Sequence, residues 1–155
     1  MADWLTLLPF LIAVGAAAVT GARYMPGPWY ERLAKPWWTP PNWLFPPAWA
    51  VLYAMIAVAG WFAWRAQGIG PLVAVWTIHL AFNAAWSWIM FGRKQIGLAA
   101  VDAVLMWVTI VLFIVLAWPV VPAAAWLFVP YLVWVSYALA LNLKILQLNG
   151  STAQA

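Results

Sequence analysis

Four polar side chains stand within otherwise apolar stretches of this chain, and they are the first candidates for chemistry. They are His79, Asn83, Asp102 and Asn142. Such groups are costly in an apolar environment and usually face protein or a cavity, where they contact a ligand or a neighbouring helix. His79 and Asn83 are four residues apart, a spacing that places both on one face of a helix.

Each of these residues also has a purely structural interpretation. Asn83 or Asn142 could hydrogen-bond a neighbouring helix, a bond worth under about 2 kcal/mol, and we favour this role for Asn142. Asp102 could be a charge near the lipid headgroups, a partner of Asn142 or a functional group. We interpret His79 as a hydrogen-bonded core histidine. As the sole histidine it leaves only single axial haem ligation open.

Aromatic side chains form two further stripes at helical spacing. Trp49 and Tyr53 make the first, and the second consists of Tyr131, Trp134, Ala138 and Asn142. A polyaromatic pocket with few donors suits a flat, largely apolar ligand, because Trp and Tyr faces stack on conjugated rings. A tetrapyrrole or a sterol fits this description. The acidic groups of a porphyrin could meet Arg32 or Lys35 at the pocket mouth.

The residues present exclude several kinds of reaction. The chain has no Cys, so it holds no disulfide and no thiolate metal site. Its lysines, Lys35, Lys94 and Lys144, lie at helix ends or in loops, which excludes a retinal Schiff base. Ser87 and Ser136 lack the glycine-flanked turn of a serine nucleophile. Two ionisable groups in apolar stretches are too few for a di-metal site, and scattered basic residues indicate no nucleic-acid partner. We expect no metal and no required cofactor.

The elements that carry these residues must lie in a membrane. Of 155 residues, 68% are hydrophobic and only 6% are charged, whereas a soluble domain has about 25% charged residues. A bilayer core of about 30 Å needs about 20 apolar helical residues. Five stretches qualify, about 4–22, 46–64, 71–91, 97–117 and 123–143, the last two being separated by Pro119 and Pro122. We predict an all-α membrane protein, a single domain over 1–155 that forms a bundle of five transmembrane helices.

The first loop, residues 23–45, is the longest connection and has an unusual composition. It holds five prolines and four tryptophans, namely Pro26, Pro28, Pro36, Pro40, Pro41, Trp29, Trp37, Trp38 and Trp43. This segment, loop one, is stiff, whereas a mere linker would be rich in Gly and Ser. Its tryptophans could anchor the chain at headgroup depth, or the loop could cover a pocket. We predict a lid.

Basic residues predict the orientation. Loop one, the third loop and the C-terminal tail share one side of a five-span bundle, and the other side has only Arg65. The shared side holds Arg23, Arg32, Lys35, Arg93, Lys94 and Lys144. Because basic residues favour the cytoplasmic side, we expect loop one and the C-terminus there.

Depth in the membrane links the polar and aromatic stripes. Counting about 1.5 Å per residue from loop one, residues of several helices fall in the same half of the bilayer: Trp49, Tyr53, Asn83, Asp102, Ala138 and Asn142. We therefore predict a cavity between the helices, capped by loop one.

Three segments resemble a known family, that of tryptophan-rich sensory proteins and translocator proteins (TspO/MBR), once called peripheral benzodiazepine receptors. They are Lys35–Trp49, KPWWTPPNWLFPPAW; Phe82–Gly92, FNAAWSWIMFG; and Phe128–Asn142, FVPYLVWVSYALALN. With five spans in the same order, the resemblance covers essentially the whole chain. It implies a five-helix bundle, a homodimer and a ligand pocket beneath the first loop.

The resemblance also implies a function and site residues. Members of the family bind porphyrins such as protoporphyrin IX, many bind sterols, and some bacterial members degrade porphyrin with light and oxygen. Matching motif positions imply a pocket in which Trp49 and Trp134 correspond to the tryptophans of porphyrin breakdown and Asn83 bonds ligand carbonyls. The complete implied set is Tyr30, Trp38, Trp49, Tyr53, Asn83, Trp134 and Ala138.

The cholesterol-recognition pattern of this family is incomplete here. It needs a basic residue within six positions of a tyrosine, but Tyr137 and Lys144 are seven apart. Such patterns are weak even when intact, so we favour a porphyrin over a sterol. We expect a receptor-like porphyrin-binding protein of a bacterial cell membrane, in which light- and oxygen-dependent turnover, if any, is slow. The alternative is a transporter of porphyrins, sterols or other lipophilic molecules, although the spans show no inverted repeat.

Overall fold

The structure is a computed structural model that describes residues 3–151, and in that range it contains helices and no strand. The predicted all-α fold class is confirmed. A 3₁₀ turn, Asp3–Leu7, leads into the first helix, and a second one, Asn42–Leu44, leads into the third. The α-helices are α1 (Leu8–Arg23), α2 (Pro28–Glu31), α3 (Phe45–Gln67), α4 (Pro71–Ser87), α5 (Ile96–Ala117) and α6 (Pro122–Asn149).

Prolines and glycines determine where these helices begin and end. Five of the six, all except α5, have a proline in their first two positions, where the missing N–H is not needed. Helix α3 ends at Gly68 (φ +67°) and α6 at Gly150 (φ +82°), because glycine adopts positive φ without steric cost. The predicted break between the fourth and fifth spans is confirmed, since α5 ends at Ala117 and α6 begins at Pro122.

Five helical segments among residues 3–151 are long and apolar enough to cross a membrane. They are Asp3–Arg23, Asn42–Gln67, Pro71–Gly92, Ile96–Ala117 and Pro122–Asn149. The last has 28 residues, about 42 Å of helix, which exceeds the hydrocarbon core of about 30 Å. Its final turns therefore extend beyond the hydrocarbon, and there they meet loop one.

The five spans close into a ring around a common core. Going round the ring, α1 contacts α3, α3 contacts α6, α6 contacts α5, α5 contacts α4, and α4 contacts α1. Ile56, Leu72, Phe113, Phe128 and Tyr131 fill the middle of the ring and are fully buried. Large apolar side chains on the outer faces stay exposed, as expected for surfaces that meet lipid.

Loop one packs over a second, smaller core. Its residues Trp29, Tyr30 and Leu33 are buried against the end of α4, the start of α5 and the end of α6. We call this group the loop-one cluster; it comprises Trp29, Tyr30, Leu33, Ile89, Met90, Ile96, Ala99, Leu141 and Ile145. The middle of loop one is therefore an integral part of the fold.

Helix α4 ends in a π-helical turn, Trp88–Gly92. Such turns are rare and occur frequently at functional sites. A Cβ added to Gly92 would lie 2.9 Å from a ring carbon of Tyr24, so the glycine allows Tyr24 to lie directly against this turn. Tyr24 is the residue at which α1 passes into loop one.

Candidate ligand-binding cavity

A cavity of about 460 Å³ lies between α1, α3 and α4 at the loop-one end of the bundle. Its volume falls in the range of about 300–1,000 Å³ that is usual for small-molecule sites. Its wall is apolar apart from a few hydroxyl and amide groups, and it contains no charged side chain among the described residues. The wall consists of Ala18, Gly21, Ala22, Tyr24, Met25, Pro26, Asn42, Phe45, Pro46, Trp49, Ala50, Tyr53, Asn83, Trp86, Ser87, Phe91 and Met106.

Asn83 is the polar centre of this cavity. Its side-chain oxygen accepts a hydrogen bond from the Tyr53 hydroxyl at 3.2 Å, and its amide nitrogen donates to the Tyr131 oxygen at 2.8 Å. The Tyr131 hydroxyl in turn contacts the Met106 sulfur at 3.4 Å. Asn83 is 5% exposed, and these bonds connect α3, α4, α5 and α6. A buried amide whose bonds are made in this way has a fixed orientation, which a binding site requires.

Trp49 forms the aromatic side of the wall. Its ring lies 5.3 Å from that of Tyr53 at an angle of 32°, and it meets the rings of Tyr131 and Trp134 edge-on at 6.3 and 6.5 Å. These distances and angles are those that aromatic pairs prefer. The three neighbouring rings hold the Trp49 indole in place beside the cavity.

The structure places three of the predicted site residues on the cavity wall and four away from it. Trp49, Tyr53 and Asn83 line the cavity. Trp134 lies behind Trp49, and its buried indole nitrogen has no hydrogen-bond partner. Ala138 is half-buried one turn further along α6 and does not line the cavity.

Trp38 and Tyr30 lie farther from the cavity. The Trp38 ring packs on Tyr137 at 5.7 Å, and the Tyr137 hydroxyl donates to the Trp38 carbonyl. Tyr30 belongs to the loop-one cluster, where its ring meets Phe91 edge-on at 5.4 Å. Burial raises the pKa of Tyr30 to about 12, with a smaller contribution from Tyr137, so its hydroxyl is neutral at physiological pH.

Loop one is fastened to α6 at two points. The backbone N–H of Ala34 donates to the Asn149 side chain at 2.9 Å, and the Asn149 amide donates back to the Ala34 carbonyl at 2.8 Å. The second point is the bond from Tyr137 to the Trp38 carbonyl. The long α6 thus holds the middle of the loop, while only the two ends of the loop border the cavity.

Neither of the cations suggested for the acidic groups of a ligand lies on the cavity wall. The Lys35 ammonium donates to the carbonyls of Tyr30, Glu31 and Leu33 at 2.7, 3.1 and 3.2 Å. Desolvation lowers the pKa of Lys35, and the nearby Glu31 partly opposes this. Lys35 therefore stabilises the loop backbone, and Arg32 is exposed to solvent.

His79 and Asn142 each have a structural hydrogen-bond partner, although the His79 Nε2 has none. His79 is fully buried, and its Nδ1 bonds to the Trp76 carbonyl while its ring packs on Phe128; its interpretation as a core histidine is confirmed. The interhelical role of Asn142 is confirmed as well, because it accepts from the Trp86 indole at 3.1 Å and donates to the Ile96 carbonyl at 3.2 Å.

Asp102 lies on α5 and is 6% exposed. Its Oδ2 is buried without a hydrogen-bond partner. The bonds of Asn142 go to Trp86 and Ile96, so the predicted pairing of Asp102 with Asn142 is absent from the described hydrogen bonds. Residues 3–151 contain no cluster of His, Cys, Asp and Glu suited to a metal ion.

The α1 side of the cavity was not among the residues predicted from the sequence. Ala18, Gly21 and Ala22 line it, and their spacing of three and four residues places them on one helix face. That pattern was the available signal, but small residues on a transmembrane helix equally indicate close helix packing. Phe91 was missed because the π-helical turn that positions it has no recognisable sequence pattern.

Comparison with known proteins agrees with this architecture. The sequence profile of the TspO/MBR family matches residues 5–148. The chain is 38% identical to the tryptophan-rich sensory protein of Cereibacter sphaeroides, over 99% of this chain and 97% of that protein. It is 37% identical to protein CrtK of Rhodobacter capsulatus, over 90% of each. It is also 34% identical to the human translocator protein, over 90% of this chain and 87% of the relative.

These matches span nearly all of the chain and nearly all of the relatives. The five apolar spans and the Pro- and Trp-rich loop between the first two account for the matched region. The chain is therefore an integral, multi-pass membrane protein that belongs to the TspO/MBR family.

Proposed function

We propose that this protein binds a tetrapyrrole such as protoporphyrin IX in the cavity between α1, α3 and α4. The observation that carries the proposal is the wall itself, where the Trp49 and Tyr53 rings lie beside an apolar space that holds one fixed amide, Asn83. A conjugated macrocycle can stack on these rings. Asn83 then supplies a directional contact that orients it.

The acidic groups of a porphyrin would lie at the cavity mouth, since no charged side chain among the described residues lines the interior. Arg23 is a cation beside the mouth. Its guanidinium lies 5.9 Å from the centre of the Tyr24 ring, and Tyr24 lines the cavity. Arg23 is exposed and so remains free to pair with a carboxylate.

Slow, light-dependent breakdown of the bound porphyrin is part of the proposal. The photoexcited porphyrin would take one electron from the Trp49 indole and pass it to dioxygen, which gives superoxide, a Trp49 radical cation and a porphyrin in its original oxidation state. The superoxide held beside the ring is then the oxidant that attacks the porphyrin. Trp134, whose ring centre is 6.5 Å from that of Trp49, can re-reduce the oxidised Trp49. We therefore assign Trp49 and Trp134 to the electron-donating role.

The packing of the half of the bundle away from loop one favours binding over transport. There the ring is filled by Trp76, Phe113 and Phe128, which are at most 4% exposed, so the cavity does not continue across the membrane. We further propose that the protein is a homodimer in a bacterial cell membrane, with loop one and the C-terminus on the cytoplasmic side.

The test is a titration of the purified protein in lipid nanodiscs with protoporphyrin IX. Binding is followed by the shift of the porphyrin absorption band, because the 15 tryptophans would dilute a fluorescence signal from the site. We expect saturable binding that Trp49→Phe weakens at least tenfold. Illumination should bleach the bound porphyrin more slowly in Trp49→Phe and Trp134→Phe than in the unmodified protein.

Trp37→Phe is the matched control, because Trp37 is 95% exposed in the same Trp-rich region. It should leave affinity and bleaching unchanged. Absence of saturable binding, or equal weakening by Trp37→Phe and Trp49→Phe, would refute the assigned site. Equal bleaching by all three proteins would show that the protein binds porphyrin without degrading it.

A further inference from the structure

The cavity reaches the outer surface of the bundle between two membrane-spanning helices. Ala22 of α1 and Pro46 and Ala50 of α3 line the cavity, and all three are exposed rather than buried. Ala50 lies five residues into α3, about 7 Å from its start. This gap, which we call the α1–α3 opening, therefore faces lipid on the loop-one side of the membrane.

Small side chains keep the α1–α3 opening wide. Ala18, Gly21 and Ala22 form its α1 edge. A Cβ added to Gly21 would find only the Ser87 and Tyr53 oxygens, at 3.8 and 3.9 Å.

At the other end of the bundle, α1 and the 3₁₀ turn before it pack directly against α3. The Trp61 indole donates to the Thr6 hydroxyl at 2.8 Å, and Arg65 pairs with Asp3 at 3.3 Å. Phe10 also packs against Trp64, with ring centres 6.4 Å apart. The α1–α3 opening is thus confined to the leaflet on the loop-one side.

The middle of loop one is closed by contrast. Trp29, Tyr30 and Leu33 are at most 8% exposed, and entry there would have to displace them. It would also break the pair of hydrogen bonds between Ala34 and Asn149. The middle of loop one is therefore fixed in place, whereas small side chains border the α1–α3 opening.

We propose that the cavity takes its ligand laterally from the loop-one leaflet through the α1–α3 opening, while loop one stays in place. This inference rests on the proposed function for the identity of the ligand, and it narrows the ligand class to molecules dissolved in the lipid. An apolar ring system with an acidic edge enters with the rings in the hydrocarbon and the acid near the headgroups.

The opening can be tested without a porphyrin because the chain has no cysteine. In Gly21→Cys the new thiol is the sole one, and it borders the cavity. Pyrene maleimide dissolved in the nanodisc lipid alkylates it by adding the sulfur and the thiol proton across the maleimide double bond. The measured quantity is the rate of labelling, with circular dichroism and gel filtration as checks on folding.

Three further substitutions are combined with Gly21→Cys. Ala50→Trp should obstruct the α1–α3 opening and slow labelling at least tenfold, whereas Val51→Trp is the matched control, because Val51 is 61% exposed and does not line the cavity. Asn149→Ala removes both bonds to Ala34 and should leave the rate unchanged. Ala22→Leu provides a second obstruction should Ala50→Trp fail to fold.

The association rate of protoporphyrin IX, measured in the same backgrounds without Gly21→Cys, should follow the same order. Labelling that depends on Ala50, in a protein that binds no porphyrin, would refute the proposed function and leave the lateral opening standing. If Ala50→Trp and Ala22→Leu change neither the labelling rate nor the porphyrin association rate, and Asn149→Ala raises both, ligands enter through loop one and the inference is wrong.

Discussion

Gly60 and Gly21 lie at opposite ends of the bundle, and their surroundings differ sharply. A Cβ added to Gly60 of α3 would lie 2.4 and 2.6 Å from the Trp76 ring and 2.9 Å from Phe10. A Cβ added to Gly21 of α1 would find nothing closer than 3.8 Å. One glycine makes room for a tryptophan that fills the core, and the other borders a space that no side chain fills.

The tryptophans at the two ends differ in the same way. Trp76 is 4% exposed, and its indole N–H donates to the Ile56 carbonyl at 2.8 Å. Trp49 is half-buried and has the cavity on one side. The role of each tryptophan depends on the helix that faces it. Trp76 is a core residue because a glycine lets the facing helix pack closely, whereas Trp49 is part of a cavity wall because a gap lies beside it.

The largest effect expected from this comparison is that of Gly60→Ala. The methyl group would overlap the Trp76 ring, and the fixed Trp76–Ile56 hydrogen bond limits how far the ring can shift. Overpacking of a core costs about 1–3 kcal/mol. The measurement is the free energy of unfolding in mixed micelles titrated with denaturing detergent.

Gly15→Ala is the control for Gly60→Ala. Gly15 also lies within a helix, but a Cβ there would meet nothing within 4 Å. The free energy of unfolding of Gly15→Ala should stay the same or rise by up to about 1 kcal/mol, because alanine is the better helix former. Equal stabilities of the two variants would show that the Trp76 end of the bundle is not tightly packed.

The next effect concerns the polar centre of the cavity. Asn83→Leu removes the partners of Tyr53 and Tyr131, and two interhelical hydrogen bonds of this kind contribute together about 1–2 kcal/mol. Stability should fall by that amount, and porphyrin affinity should fall about tenfold because the orienting amide is lost. Detergent unfolding and the porphyrin titration measure the two effects.

Asn142→Leu separates these two consequences. Asn142 also makes two hydrogen bonds between helices, to Trp86 and Ile96, but it does not line the cavity. It should lose similar stability with a much smaller loss of affinity. A loss of affinity as large as that of Asn83→Leu would mean that Asn83 acts only by supporting the fold.

The fold was largely predictable from the sequence, because hydropathy and proline position act locally. The prolines that open the helices and the break near Pro119 and Pro122 placed the five spans to within a few residues, except that α6 continues to Asn149. That extension was missed because residues after Leu143 are more polar, and the sequence does not show that they pack on loop one.

The site was predictable only in part. Depth counting uses only the rise of a helix, and it placed Trp49, Tyr53 and Asn83, which all line the cavity, at one level. It placed Asp102 and Asn142 there too, and these do not line the cavity. It could not show which helix faces border the empty space, so the α1 side with Gly21 was missed. Ala138 was also counted at that depth but lies away from the wall, and Trp134 lies behind Trp49. Only the rotation of α6 decides this.

Gly21→Ala is expected to change stability least. It is also the sharpest test of the difference in packing between the two ends of the bundle. The added methyl group would make ordinary contacts with Ser87 and Tyr53 at 3.8 and 3.9 Å. Replacing a helical glycine by alanine then contributes up to about 1 kcal/mol in favour of the folded state. Stability should therefore stay level or rise, opposite in sign to Gly60→Ala, as measured by the same detergent unfolding.

A larger residue at the same position links this result to binding. Gly21→Leu should still fold, because its side chain can enter the cavity, but it should weaken porphyrin binding at least tenfold by occupying that space. If Gly21→Ala instead destabilised the protein as much as Gly60→Ala, the space beside α1 would be closed in the membrane. Stability changes of opposite sign for Gly21→Ala and Gly60→Ala require that the bundle is filled at one end and open at the other.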